Sequence, residues 1–202
     1  VRQLYVKGPG EEPKGAPLRV VSCHLGGSSS ITGIYNGVAI GTSMGLSPQG
    51  GLPQNNRVGD LDSMAIPVAL EELGIDVNTA VNQLTTEGGL YGLSGVSNDL
   101  RDIAAEAENG NQRAKLAIDF LVHSIRHWIG AYAFQMGGLD ALVFTAGIGE
   151  NQGSLRALVC EGLETFGIKL DREKNERDAS DERDLAKDDS PVRILVVPTN
   201  EE

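Results

Sequence analysis

Three short apolar runs, each breaking into a turn of small and polar residues, constrain this chain more than any other feature. They are LRVVSC before HLGGSSS, LDALVFT before AGIGENQ, and VRILVV before PTNEE. Runs of this length and composition read as buried strands, and helical patterns lie between them. Strands separated by helices predict an α/β layer fold. In open α/β sheets ligands bind beyond the carboxyl ends of the strands, so the pattern predicts three turns facing one cleft. Glycines in such turns let backbone N–H groups approach phosphate oxygens with no Cβ in the way, and serine hydroxyls add donors. The patch at residues 23–30 could instead be a flexible linker. A linker would not be wedged before a hairpin, nor have its design repeated twice downstream, so a phosphate-facing turn is the better reading.

The remaining elements follow from periodicity and punctuation. Residues 18–23 read as a strand, and ITGIYNGVAIGTSMG as a hairpin turning at Asn36-Gly37, a pair suited to type I′ turns. That hairpin makes the sheet mixed rather than purely parallel. Residues 46–60 are loop by their Gly, Pro and Asn content. A helix is predicted over 62–73, capped by Asp62 or Ser63 and disturbed by Pro67, and a second follows Asn78. GGLYGLSG reads as a glycine-rich link. Ser97-Asn98-Asp99 opens a helix that ends at Gly110. The longest helix spans 111–136, where Ile118, Leu121, Val122, Ile125, Trp128, Ile129 and Tyr132 recur at three and four. A strand at 139–145, a helix over SLRALVCEGLETFG and a strand at 192–197 complete the order.

Composition excludes some classes. A chain of 202 residues with 40% hydrophobic content can bury a core. Its formal charge of −11 argues against nucleic acid as a partner, which would call for a basic face. Residues 171–189 hold nine acids and five bases, as suits a solvated loop or frayed helix. No run approaches the ~18 apolar residues of a membrane span. The start of the chain shows no signal-peptide pattern. Cys23 and Cys160 show no metal or redox spacing, so a reduced, cytoplasmic compartment is expected. Residues 1–17 read as a tail or the end of a helix from a preceding domain. The chain lacks an initiating methionine and stops directly after a strand, so it reads as a piece of a longer protein.

Four places could carry chemistry. His24, at the end of the first strand, either donates to a phosphoryl oxygen or is satisfied by backbone. Arg57 lies among turn residues, where it is either a phosphate or carboxylate clamp or the partner of Asp60 or Asp62. Glu201 and Glu202 either hold Mg²⁺ as hard oxygen ligands or form a solvated end. His123 and His127 share a helix face at i, i+4, but the glutamate of a metalloprotease motif is absent and no site role is assigned to them.

The succession HLGGSSS, TSMGLSPQGGLPQNNRVGDLD, GLYGLSGVSNDLRDI, FTAGIGEN and VPTNEE resembles the acetate kinase family from about Leu18 to Glu202. The resemblance makes residues 18–202 the carboxy-terminal nucleotide-binding domain, with the first domain absent. It implies the ribonuclease-H-like fold of the sugar kinase, Hsp70 and actin superfamily. The implied reaction is direct in-line phosphoryl transfer from ATP to acetate, giving ADP and acetyl phosphate. Propionate or another short-chain acid is the alternative acceptor. A nucleotide-binding module or a degenerate paralogue without kinase activity is the alternative protein. By the same resemblance the full-length enzyme is a homodimer that uses Mg²⁺, and this piece alone is inactive.

Site roles carry over by position. His24 corresponds to the histidine that contacts the transferring phosphoryl group, and Arg57 to the arginine that stabilises that group and the substrate carboxylate. Gly26, Gly27 and Ser28 form the phosphate turn. Asp99, Leu100 and Arg101 line the nucleotide site, and Gly147, Ile148, Gly149, Glu150 and Asn151 form the adenosine turn. Glu201 helps to place Mg²⁺. The family usually reads H-L-G-N-G where this chain has His24-Leu25-Gly26-Gly27-Ser28, and G-T-R where it has Asn55-Asn56-Arg57. An amide of Asn55 or Asn56 is expected to replace the donor lost at Gly27.

Overall fold

The computed structural model describes residues 17–177 and 180–199. These divide into two compact units, one holding residues 17–26, 31–42 and 127–199, the other 27–30 and 43–126.

The first unit is built on a sheet. Its strands are β1 (Arg19–Leu25), β2 (Ser29–Tyr35), β3 (Val38–Thr42), β4 (Ala141–Thr145), β5 (Arg183–Asp184) and β6 (Arg193–Val196), in the order β3-β2-β1-β4-β6-β5. β1, β4 and β6 are parallel neighbours, with Val20 opposite Ala141 and Ala141 opposite Arg193. Their carboxyl ends therefore share one edge. The β2–β3 pair is antiparallel with an irregularity between Gly33 and Ile34, and β5 runs antiparallel to β6, so the sheet is mixed as expected. Asn36 and Gly37 both take positive φ at the hairpin turn. The first strand runs through His24 to Leu25 rather than ending at residue 23.

Alternation sorts the strand side chains onto two faces. Val20, Ala141, Val143 and Leu195 form a cluster on one face, with Leu18, Ile34 and Val197 against it. Val21, Cys23, Leu25, Leu142, Phe144, Ile194 and Val196 are buried on the other. β1 is fastened to β4 by Arg19, whose Nη2 donates to Asp140 Oδ1 at 2.7 Å and whose Nε donates to Oδ2 at 3.0 Å.

The expected long helix is α5 (Gln112–Gln135), and the boundary between the units falls within it. Its buried stripe runs through Ala114, Ala117, Leu121, Ile125, Ile129 and Tyr132, the spacing of one helix face. Tyr132 lies on β2 and β3 because two glycines leave room for its ring. A Cβ at Gly33 would meet Tyr132 Cδ1 at 2.7 Å, and one at Gly41 would meet Cε1 at 3.0 Å.

The second unit holds α1 (Ala65–Leu73), α2 (Val77–Thr86), α3 (Gly89–Ser94) and α4 (Leu100–Glu108). α1 starts at Ala65 rather than at residue 62, which puts Pro67 in the first turn, where its missing N–H costs nothing. Gly74 ends α1 in the left-handed conformation. Asp76 caps α2 by accepting from Asn78 N at 2.8 Å and Thr79 N at 3.1 Å.

Two stretches read as turns are helical. GLYGLS is α3, despite the low helix propensity of glycine. Its first N–H groups donate to loop carbonyls, Leu90 N to Gln54 O and Tyr91 N to Asn55 O. Those tertiary bonds satisfy the donors that a helix start leaves unpaired. AGIGEN, directly after β4, is the helix α6 (Ala146–Asn151). α7 (Gly153–Cys160) stops short of the predicted end, and the remainder is a turn of 3₁₀ helix at Glu164–Phe166. Within the acidic stretch, α8 (Arg172–Glu176) and β5 are ordered elements, with Asp171 capping α8 through Lys174 N.

Candidate active site

The first group of site residues sits where β1, β4 and β6 end. His24 is half-buried and opposite Thr145 in register, so the two side chains share a face of the sheet. Its imidazole bonds to no described residue. The second strand end is tied to the third through hydroxyls. Thr199 Oγ1 lies 2.7 Å from Thr145 Oγ1 and accepts from Ala146 N at 2.8 Å. It also donates to Glu150 Oε1 at 3.1 Å, so its single proton is used there and Thr145 donates in the shorter contact. Thr199 N donates to the same carboxylate oxygen at 2.9 Å. Ala146 is held in the left-handed region at φ 65°, a conformation that costs an alanine about 1 kcal/mol or more. Thr199 is the residue that pins it.

The turn from Gly147 to Asn151 is the body of α6. Gly147 and Asn151 are exposed and Gly149 is buried, its Cα face 3.4 Å from the Phe144 backbone if a Cβ is added. The carbonyls of residues 147 to 150 each have a donor. Asn151 Nδ2 serves Gly147 O at 2.8 Å, and Gln152 N serves Ile148 O at 2.9 Å. Arg156 Nη1 serves both Gly149 O and Glu150 O at 2.8 Å, and Arg183 Nη2 adds a bond to Glu150 O at 3.0 Å. Arg156 is only 2% exposed. Burial, then the neighbouring Arg183, pushes its guanidinium down to about 10. Its other donors go to Asn175, Nε to Oδ1 at 2.8 Å and Nη2 to O at 3.1 Å.

The second group, in the other unit, surrounds Arg57. Arg57 Nη1 donates to Ser28 Oγ at 2.7 Å and to Gln54 Oε1 at 3.0 Å. The arginine loop and the Gly-Gly-Ser turn, 29 residues apart in sequence, are thus brought together. Asp60 accepts instead from Gly51 N, and Asp62 from Met64 N, so neither is the arginine's partner. Two donors of the guanidinium are used by Ser28 and Gln54, and those on Nη2 and Nε meet no described residue. The loop itself cannot shift easily. A Cβ on Gly89 would come 2.0 Å from Gln54 O and 2.6 Å from Arg57 O, so only glycine lets α3 dock beneath it. Gly27 is exposed and a Cβ there would meet nothing within 4 Å, so packing does not forbid a side chain at that position. The side-chain amides of Asn55 and Asn56 donate to no described residue, while their carbonyls accept from Tyr91 N and Gly88 N.

Asp99 caps α4, accepting from Arg101 N at 2.9 Å, and pairs with the Arg101 guanidinium at 2.5 Å. That side-chain bond, more than the backbone one, holds the Asp99 carboxyl down at about 2. Leu100 is buried, so its side chain belongs to the core of the unit. His123 and His127 are exposed, and His127 stands edge-on to Trp128. Among the described residues no three His, Cys, Asp or Glu side chains are grouped as a metal would require. Glu201 and Glu202 lie outside the described residues.

A family model described as the acetokinase family matches residues 11–202. The chain belongs to that family. It is 45% identical over 185 residues to the acetate kinase of Alkaliphilus metalliredigens, covering 92% of this chain and 46% of the relative. The crystal structure of Porphyromonas gingivalis acetate kinase superposes with a TM-score of 0.87 at 40% identity, over 91% of this chain and 46% of that one. A propionate kinase from Francisella tularensis superposes at 0.84 with 36% identity, over 92% and 47%. The chain therefore spans about half the length of the relatives it matches. The mixed sheet flanked by helices is the acetokinase version of the actin, Hsp70 and sugar kinase fold. No helix among the described residues is long and apolar enough to cross a membrane.

Sequence reasoning missed Arg156 and Thr199 in the first group and Gln54 in the second. Arg156 carries no local signal, since an arginine in an amphipathic helix normally faces solvent.

Proposed function

We propose that the full-length protein transfers the γ-phosphoryl group of ATP directly to acetate, reversibly, giving acetyl phosphate and ADP. The observation that carries this reading is the hydrogen-bonded placement of Arg57 on Ser28 through Nη1, with the Nη2 and Nε edge of the guanidinium bonded to no described residue. That edge is the fork that binds carboxylate or phosphoryl oxygens in bidentate fashion. Phosphoryl transfer asks little covalent work of a protein; it needs positioning and neutralisation of charge on the equatorial oxygens.

In this reading Arg57 clamps the acid's carboxylate and the group being transferred, and His24 donates an N–H to that group. Gly26, Gly27 and Ser28 present backbone and hydroxyl donors to the phosphates, and an amide of Asn55 or Asn56 stands in for the asparagine lost at Gly27. Asp99, Leu100 and Arg101 form one wall of the nucleotide site through the backbone at the α4 start, and Gly147 to Asn151 take the adenosine. Mg²⁺ bound with ATP needs one or two carboxylates from a protein, and Glu201 supplies one; bound there, it would neutralise charge on the phosphates. The 202-residue piece has no activity by itself, and the whole enzyme is a cytoplasmic homodimer.

The test is hydroxamate formation by the full-length protein from ATP, hydroxylamine and a panel of short acids. Acetate is expected to give the highest kcat/KM. One methylene is worth only ~1–3 kcal/mol in an apolar pocket, so propionate should react more slowly rather than fail. A propionate preference would make the protein a propionate kinase, and colour with no acid while ATP still binds would overturn the kinase reading.

A further inference from the structure

Arg156 is a cation buried behind the turn that follows β4, and the residues it bonds explain what it does there. Its guanidinium faces four oxygens, those of Gly149 O, Glu150 O, Asn175 O and Asn175 Oδ1, at 2.8 to 3.1 Å. None is a carboxylate. An ionised group taken out of water in this way is costly unless its hydrogen bonds are met, and these meet them. The arrangement is reinforced from the other side, since Asn175 Nδ2 donates to Gly153 O at 2.8 Å and closes a ring from α7 to α8. Gly153 is part of the same fit: a Cβ there would lie 3.2 Å from Asn175 O.

The two carbonyls held by Nη1 belong to the last turn of α6. A six-residue helix cannot hold its own end, because its final carbonyls have no intrahelical donors. Gly147 O and Ile148 O are served locally, but Gly149 O and Glu150 O depend on Arg156, with Arg183 as a second donor to the latter. The end of the 147–151 turn is thus held from beneath chiefly by one guanidinium, which serves both Gly149 O and Glu150 O.

We propose that Arg156 is a positioning residue for the nucleotide, fixing the backbone of the 147–151 turn without touching substrate. This rests on the reading above that the turn takes the nucleoside. Loss of Arg156 then weakens ATP binding and leaves the carboxylate site alone, whereas a residue that merely holds the fold together would lower both together.

The experiment uses the full-length protein, with Arg156→Met, which keeps length and removes the donors, and Arg156→Lys, which keeps charge and part of the bonding. KM for ATP in Arg156→Met is expected to rise at least tenfold with KM for acetate within twofold, and Arg156→Lys should recover at least a third of that loss on a logarithmic scale. A rise in KM for ATP of less than threefold, an equal rise for both substrates, or no recovery by lysine would overturn the proposal. Should Arg156→Met fail to fold, Asn175→Ala removes the Oδ1 acceptor while keeping the arginine. A threefold or greater rise in KM for ATP alone then supports the proposal, and a smaller or shared rise overturns it. Binding of a fluorescent ATP analogue by the unaltered protein separates the two layers: no binding there overturns the nucleotide reading itself, and this inference with it.

Discussion

Replacing Arg57 by alanine separates the arginine's structural work from its chemical work. Two bonds disappear, to Ser28 Oγ and to Gln54 Oε1. Ser28 is half-buried and can recover a bond to water, so its loss is small. Gln54 is 1% exposed, and its Oε1 is left without a donor. An orphaned buried acceptor costs about 1–3 kcal/mol, so about 2 kcal/mol is expected. For a chain of 202 residues that lowers Tm by roughly 4–8 °C. On the proposed role the chemical loss is expected to be larger, since removing one donor from a developing transition-state charge costs ~10²–10³ in kcat. Lysine keeps the charge but not the fork, so Arg57→Lys should regain part of Tm and little of kcat. The assays are thermal unfolding and hydroxamate formation on the full-length protein, run with Gln54→Met to complete a double-mutant cycle. A coupling of at least about 1 kcal/mol between positions 54 and 57 is expected for groups in direct contact. An Arg57→Ala protein that melts within 1 °C (roughly a quarter to a half kcal/mol) of the parent, with no coupling to Gln54, would refute the claim that these bonds position the arginine.

Two further outcomes follow from packing and charge. Gly33→Ala forces a methyl to within 2.7 Å of the Tyr132 ring, and overpacking of this kind costs about 1–3 kcal/mol; Tyr132→Leu in the same chain should relieve most of it, as a Tm series would show. Asp140 is held below the usual carboxylate range chiefly by the side-chain hydrogen bond from Arg19. A depressed carboxyl stabilises the fold above its unfolded value, near pH 4, and loses that contribution as pH falls through the folded value. The stability gap between the parent and Asp140→Asn should therefore be constant near neutrality and close below pH ~4; a gap that widens on acidification would contradict the assigned cause.

The sequence by itself determined the layers, the three strands that lead into small-residue turns, and the family. Apolar runs such as VVSC and ALVF are local signals of buried strands, and the three that end in small-residue turns did prove to be adjacent and parallel, so their turns share one sheet edge. The motifs from HLGGSSS to VPTNEE carried the family in the same way, because they depend only on residue order. Periodicity also located α5 to within one residue at each end, since its buried stripe repeats along twenty-odd residues. Only the tertiary structure decided the rest. GLYGLS is helical because loop carbonyls from residues 54–56 satisfy its first donors, a condition that no local propensity contains. The partners of Arg57 proved to be Ser28, across 29 residues, and Gln54, and not the aspartates three and five positions away, because chain proximity does not tell which side chain of a folded loop faces the guanidinium. Arg156 reads as a surface residue in a helix and is buried instead, since what draws it inward is the set of unpaired carbonyls that only the assembled turn presents.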